Sequence, residues 1–241
     1  MNVGLYQGAA AIDTLDKWQE VVSQNIAASS VPGFKASEMS VTGLNYGSIQ
    51  DGISSAQPAV MPTSTTQTSF LPGSMSRTGN PTDVAVDKGF FVVQEANGQT
   101  RYTRNGQFNV SPNNQLITAT GDAVQGVGGA IQLLPNGQPV TINSTGQVYQ
   151  GHQAIGKLKV VNFDDTSMLT KVSGGFYASD KAEPKLATSS VVSQGYLEDS
   201  NVSPVNQMVE LIQMSKSQEA NQKMIATYND RLGKAIQTFT R

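Results

Sequence analysis

Near the start of the chain, Leu5, Gly8, Ile12, Leu15, Gln19, Val22 and Ile26 fall at alternating steps of three and four. That spacing predicts an amphipathic helix with a heptad seam, widened by Ala9, Ala10, Ala11 and Trp18. Pro32 disfavours helix at Val31 and Gly33 follows, so the helix is expected to stop near Ser29–Ser30. The far end repeats the pattern. Ser203 suits an N-cap and Pro204 the first helical position. Leu211, Met214, Gln218, Asn221, Ile225, Tyr228, Leu232, Ala235 and Phe239 then take the same steps, with no proline before Arg241. So long a helix without a stop fits a coiled coil better than a compact domain. Gln218 and Asn221 lie on the seam, where polar residues cost stability but fix register or partner choice.

Between the helices the period changes to two. Phe90–Gln94 and Arg101–Asn105 flank an Asn97–Gly98 pair, a strong hairpin signal. Further short strands are expected at Gln107–Val110, Gln115–Thr118, Ala130–Leu134, Val140–Asn143, Gln147–Tyr149 and Ile155–Phe163. Turns every eight to twelve residues predict a sandwich or distorted barrel. From Met39 to Ser76 the only charge is Asp51, and core residues are scarce. That stretch reads as an extended linker ordered only against its neighbours. The expected class is α+β, with long N- and C-terminal helices pairing as a coiled-coil-like layer around an all-β central domain. The expected division is an N-terminal helix in 1–35, a linker in 36–82, a β domain in 83–200 and a C-terminal helix in 201–241.

Composition narrows the chemistry. The chain has 241 residues, no cysteine and one histidine, which removes thiolate nucleophiles, Cys-ligated metals and multi-His sites. Only 14% of residues are charged and the net charge is −2, so neither nucleic acid nor an anionic membrane is an expected partner. No apolar run approaches a membrane span. Asp13, Asp16 and Glu20 break up any signal-peptide core, so no cleaved signal is expected. Export through a dedicated channel is compatible with that.

The candidate catalytic groups have plainer readings. His152 follows Gly151 in an expected turn and has no nucleophile motif beside it. Asp164 and Asp165 are adjacent, so on a strand they point to opposite faces. Gly126–Val127–Gly128–Gly129 lacks the Lys-Ser/Thr of a phosphate loop. Asn143–Ser144–Thr145 and Asn201–Val202–Ser203 match a glycosylation acceptor pattern that is frequent by chance. Arg101 and Arg104 beside Tyr102 fit cross-strand pairs better than base stacking. No catalytic residue, metal or cofactor is expected.

Five segments, in order, carry a family likeness. Asn25–Ile26–Ala27–Ala28–Ser29–Ser30–Val31–Pro32–Gly33–Phe34–Lys35 resembles the N-terminal signature of bacterial flagellar rod and hook proteins, with Ala28 and Val31 departing from it. Gly89–Phe90–Phe91 resembles the family's Gly-Phe-Phe strand, and Tyr102–Thr103–Arg104–Asn105–Gly106–Gln107–Phe108 its Tyr-Thr-Arg-Asn/Asp-Gly-x-Phe segment. Leu197–Glu198–Asp199–Ser200–Asn201–Val202 resembles its Leu-Glu-x-Ser-Asn-Val approach to the last helix. Glu219–Ala220–Asn221 fits a Tyr-Glu-x-Asn motif, with Gln218 in the Tyr position.

The resemblance implies a structural axial subunit of the basal-body rod, exported unprocessed by the flagellar type III apparatus. It would polymerise with its own copies and neighbouring rod proteins into the helical shaft that crosses the periplasm. The chain is short for a hook protein; its length, Gln218 and Ile155–Val161 favour the proximal rod form over the distal. Subunit contacts are expected along Leu5, Ile12, Leu15, Trp18, Val22, Ile26, Leu211, Met214, Gln218, Asn221, Ile225, Tyr228, Leu232, Ala235 and Phe239. Two rival readings are a β-domain interaction module whose helices make a discrete oligomer, and an envelope enzyme acting through Asp164 or Asp165.

Overall fold

The computed structural model describes residues 3–46, 59–135, 137–179 and 182–239, with side chains at 8–43, 63–135, 137–179, 182–231, 233–234 and 237. They form two compact units. One comprises residues 1–27, 37–67 and 203–241; the other comprises 28–36 and 68–202. The chain is thus a mixture of α and β, mainly β in its middle, with one helix toward each end.

In the helical unit, α1 spans Val3–Ala27 and α2 spans Pro204–Phe239. The second helix begins at the expected proline, and the Gln207 amide closes its first turn on the Ser203 carbonyl at 3.1 Å. The two helices are antiparallel. Asn25 meets Gln207, Trp18 meets Glu210, Asp16 meets Gln218 and Gly8 meets Ile225, so positions descend on one helix as they ascend on the other. A Cβ at Gly8 would stand 3.2 Å from Ile225 Cδ1, which shows how closely the helices approach there. Residues Ser37–Tyr46 and Ala59–Thr68, within the stretch read as an extended linker, form paired strands. Few core residues are needed for such a ribbon, because the ladder satisfies its backbone and Thr-rich sequence suits extended chain.

The β unit is built on Phe90–Gln94, the centre of a ten-stranded sheet among the described residues. Thr100–Thr103 pairs on one side of it, Phe91 opposite Thr103. Ala123–Gly126 and Val160–Asn162 share the other. Phe91 and Val93 enter one buried cluster with Phe108, Leu116 and Val148, while Phe90 and Val92 enter a second with Tyr102, Phe163 and Tyr177. Both faces being covered explains the unbroken apolar run, which an alternating half-exposed strand would not show. Edge-to-face rings fix each side, Phe91–Phe108 at 5.2 Å and Tyr102–Phe163 at 4.9 Å between centroids.

Among the described residues three smaller sheets complete the unit: Val140–Ile142, Gln147–Gln150 and Gln153–Lys157; Val84–Val86 with Val192–Gln194; and Met75–Arg77 with Tyr196–Glu198. The single strand expected over Ile155–Phe163 is two. Gln153–Lys157 belongs to the three-stranded sheet and Val160–Asn162 to the large one. Between them buried Leu158 donates its amide to the Gly146 carbonyl and Lys159 to that of Gln125, so the chain changes sheet at that corner.

Candidate functional site

The motif segments around Gly33–Lys35, Arg104 and Leu197–Asn201 are far apart in sequence and meet in the interior of the β unit. Gly33 starts the junction. Its φ of +69° suits glycine, and a Cβ there would lie 2.4 Å from the Arg104 carbonyl carbon. The Gly33 amide donates to the Glu198 carbonyl at 2.6 Å, and the Asn201 amide to the Phe34 carbonyl at 3.4 Å. The chain just after α1 is therefore stitched to the chain just before α2. Gly106 is constrained in the same way, since a Cβ would fall 1.6 Å from the Val84 carbonyl oxygen.

Lys35 runs inward from this stitch, with a side chain 0% exposed against 2% for Glu198. Its ammonium donates to Glu198 Oε1 at 2.6 Å and to the Leu71 carbonyl at 2.7 Å. Glu198 Oε1 also accepts the Gly73 amide at 3.0 Å. Arg104 approaches the other carboxylate oxygen at 3.4 Å, donates to the Val86 carbonyl at 3.1 Å, and holds its guanidinium 5.2 Å from the Phe90 ring centroid. One carboxylate thus serves two buried cations. Burial lowers the pKa of both Lys35 and Arg104, and Glu198 opposes that shift in each.

Asn201 closes the periphery. Its Oδ1 accepts the Ala36 amide at 2.7 Å, and its Nδ2 donates to the carbonyls of Ser69 and Leu71 at 2.9 and 3.1 Å. Ser200 Oγ accepts the Val202 amide, and Leu197 is buried beside Glu198. Lys171 caps the outside, 3.8 Å over the Phe34 ring and donating to the Lys35 carbonyl at 2.9 Å. Next to this, an uncharged cleft of about 440 Å³ is bounded by Pro32, Phe34, Gln107, Thr118 and Phe176.

Desolvation holds the Lys171 pKa at about 8, below the ordinary 10.5. Between those values the unfolded chain binds more protons than the folded one, so stability rises with pH from about 8 to about 10.5. Lys171→Met is expected to remove that share of the rise. Denaturant midpoints of wild type and variant on either side of the window check it; parallel pH curves would contradict it.

Glu219 and Asn221 lie on α2, outside the junction, and so does Asn25 on α1. Asn25 is 2% exposed in the helical unit, where it exchanges hydrogen bonds with the Ser37 backbone and donates to Gln207 Oε1 at 3.0 Å. Val22 and Met214 are buried; Ile12, Leu15, Trp18, Ile26, Leu211, Gln218, Asn221 and Ile225 are half-buried; Tyr228 is exposed. Trp18 Nε1 donates to Glu210 at 3.1 Å and Gln218 to Asp16 at 2.9 Å, so these positions are used between α1 and α2 of one chain. The side chains of Leu5, Leu232, Ala235 and Phe239 lie outside the described residues. Glu210 and Gln207 were missed as seam positions, although Gln207 continues the three–four steps back from Leu211.

The groups weighed for catalysis sit on the surface. His152 is exposed at a turn. Asp164 pairs with Lys185 at 2.5 Å with both side chains well exposed. Asp165 instead accepts the Ser167 amide at 2.9 Å and caps the short turn Thr166–Met168; the Ser167 side chain and then its amide hold the carboxyl below the usual range. The glycine run links Ala123–Gly126 to Gly129–Ala130.

In the β unit the motif residues are buried against one another, and in the helical unit α1 and α2 pair. Residues 86–150 match the family model described as the flagellar hook protein FlgE/F/G D1 domain, and residues 193–238 the flagellar basal body rod FlgEFG protein C-terminal. The flagellar basal-body rod protein FlgF of Caulobacter vibrioides is 35% identical over 230 residues, covering 93% of this chain and 93% of that protein. FlgF of Salmonella typhimurium is 32% identical, over 100% of this chain and 99% of its own. FlgG of Buchnera aphidicola subsp. Baizongia pistaciae is 30% identical, over 97% and 98%. The chain belongs to the flagellar basal-body rod protein family.

Proposed function

We propose that this chain is a structural, non-enzymatic axial subunit of the basal-body rod, polymerising through its terminal helices into the helical shaft that crosses the periplasm. The proximal rod form is preferred over the distal on the length of the chain, Gln218 and the Ile155–Val161 segment. Its partners are its own copies, neighbouring rod proteins and the flagellar type III export apparatus that delivers it without a cleaved signal. On its low and nearly balanced charge neither nucleic acid nor a membrane is proposed as a partner; no helix among the described residues is long and apolar enough to cross a membrane.

The observation that carries this reading is the use made of the shared motifs. Lys35, Arg104 and Glu198 spend their charged groups on one another in the interior, and Asn201 is bonded to backbone at its edge. Their effect is mechanical: the chain leaving α1 and the chain entering α2 are tied to one rigid β unit. The seam residues serve assembly by pairing the two ends. The division into a helical core made of both ends and a central β domain follows the same logic, with the strands Ser37–Tyr46 and Ala59–Thr68 added to the helical core.

Sedimentation of the purified chain over a wide concentration range tests it. A rod subunit is expected to grow without a fixed stoichiometry, as a head-to-tail contact that does not close requires. One finite oligomer, unchanged with concentration, would favour the interaction module instead.

A further inference from the structure

The first turns of α2 are apolar on two sides. One side carries Leu211 and Met214 toward α1. The other carries Val205, Met208, Val209 and Ile212, which are 69%, 51%, 50% and 55% exposed. These four follow i, i+3, i+4, i+7 spacing, and at about 3.6 residues per turn they fall roughly opposite the seam. A helix apolar on opposite faces is one that becomes covered on both. Among the described residues only the first face is.

We propose that the Val205–Met208–Val209–Ile212 stripe packs against a second copy of this chain, so that each α2 is held between its own α1 and a neighbouring subunit. This rests on the rod-subunit reading and names the surface by which copies meet. It also separates two roles that the heptad pattern alone merges, since the seam joins the ends of one chain and the stripe joins chains.

Charge and area select the occupant. From Ser203 to Ser215 the only charged residue is Glu210, and it accepts the Trp18 indole N–H on the seam side. The stripe therefore has no base to draw an anionic lipid surface or nucleic acid, both of which require Lys or Arg beside the apolar face. Area excludes a solitary partner. Four side chains are far below the roughly 20–30 residues a side of a lasting binary interface. Such a contact persists when it is repeated along an assembly, and copies of the same chain supply the repetition.

The test is photo-cross-linking in cells whose swimming depends on this chain, with p-benzoylphenylalanine placed at Ile212 or, separately, at Met208. Both side chains are already exposed, so the probe disturbs no packing in the free chain. An adduct of twice the chain's mass is expected at both positions. Adding Val205→Asp and Val209→Asp is expected to reduce it at least about tenfold, equivalent to about 1.4 kcal/mol, with the helix signal of the purified chain unchanged. An adduct of any other mass, or none, overturns the proposal. Rods that form in cells lacking the chain would defeat the functional reading instead, whatever the cross-link shows.

Discussion

Glu198→Ala is expected to destabilise the β unit by about 3–5 kcal/mol, the range for breaking a buried ion pair from one side. The carboxylate lost is the one that Lys35 meets at 2.6 Å and Arg104 at 3.4 Å, Lys35 being fully buried and Arg104 nearly so. Lys35 would keep only the Leu71 carbonyl among its named partners, and the Gly73 amide would lose its acceptor. Because burial already lowers the Lys35 pKa and Glu198 opposes that, the variant should also become more stable as pH rises, the neutral amine being the form the interior tolerates. Pairing the change with Lys35→Met removes both charges of the closest contact, and the double variant should recover much of the loss. Urea titrations of the three proteins read this directly. A loss under about 1 kcal/mol for Glu198→Ala would mean that the junction is not holding the unit together.

The second large effect is expected in the other unit. Val22 is 1% exposed on the face of α1 that meets α2, and Val22→Asp places a carboxylate there without a named cation to receive it. The expected result is separation of the helices at a cost of about 3 kcal/mol or more if the charge stays buried. Trp18 is the sole tryptophan and bonds to Glu210 across the pair, so its emission reports the contact. A red shift with loss of helix signal, and no change in the tyrosine environment of the β unit, is the predicted pattern. Unchanged tryptophan emission would contradict the packing role given to this seam.

Helices were the most legible part of the sequence, because a three–four repeat bounded by Pro32 and Pro204 has few other solutions. Strand Phe90–Gln94 was equally plain, since an apolar run closed by an Asn-Gly turn leaves little choice. The paired strands at Ser37–Tyr46 and Ala59–Thr68 were not, because their Ser, Thr and Gln content resembles that of a loop and the ladder that orders them is invisible in composition. The motifs could be recognised as a family pattern, yet nothing in their spacing said that Lys35 would find Glu198 across the chain. A signal existed: a lysine directly after Gly-Phe and a glutamate directly after Leu are charges placed among core residues, where a charge is kept only with a partner.

The most direct measurement of the central claim is electron microscopy of basal bodies purified from cells lacking this chain and from the same cells supplied with it again. A structural rod subunit predicts particles whose shaft is missing or truncated without the chain, complete when wild type is restored, and still defective when Val22→Asp is supplied. Complete rods and normal swimming in cells without the chain would contradict it.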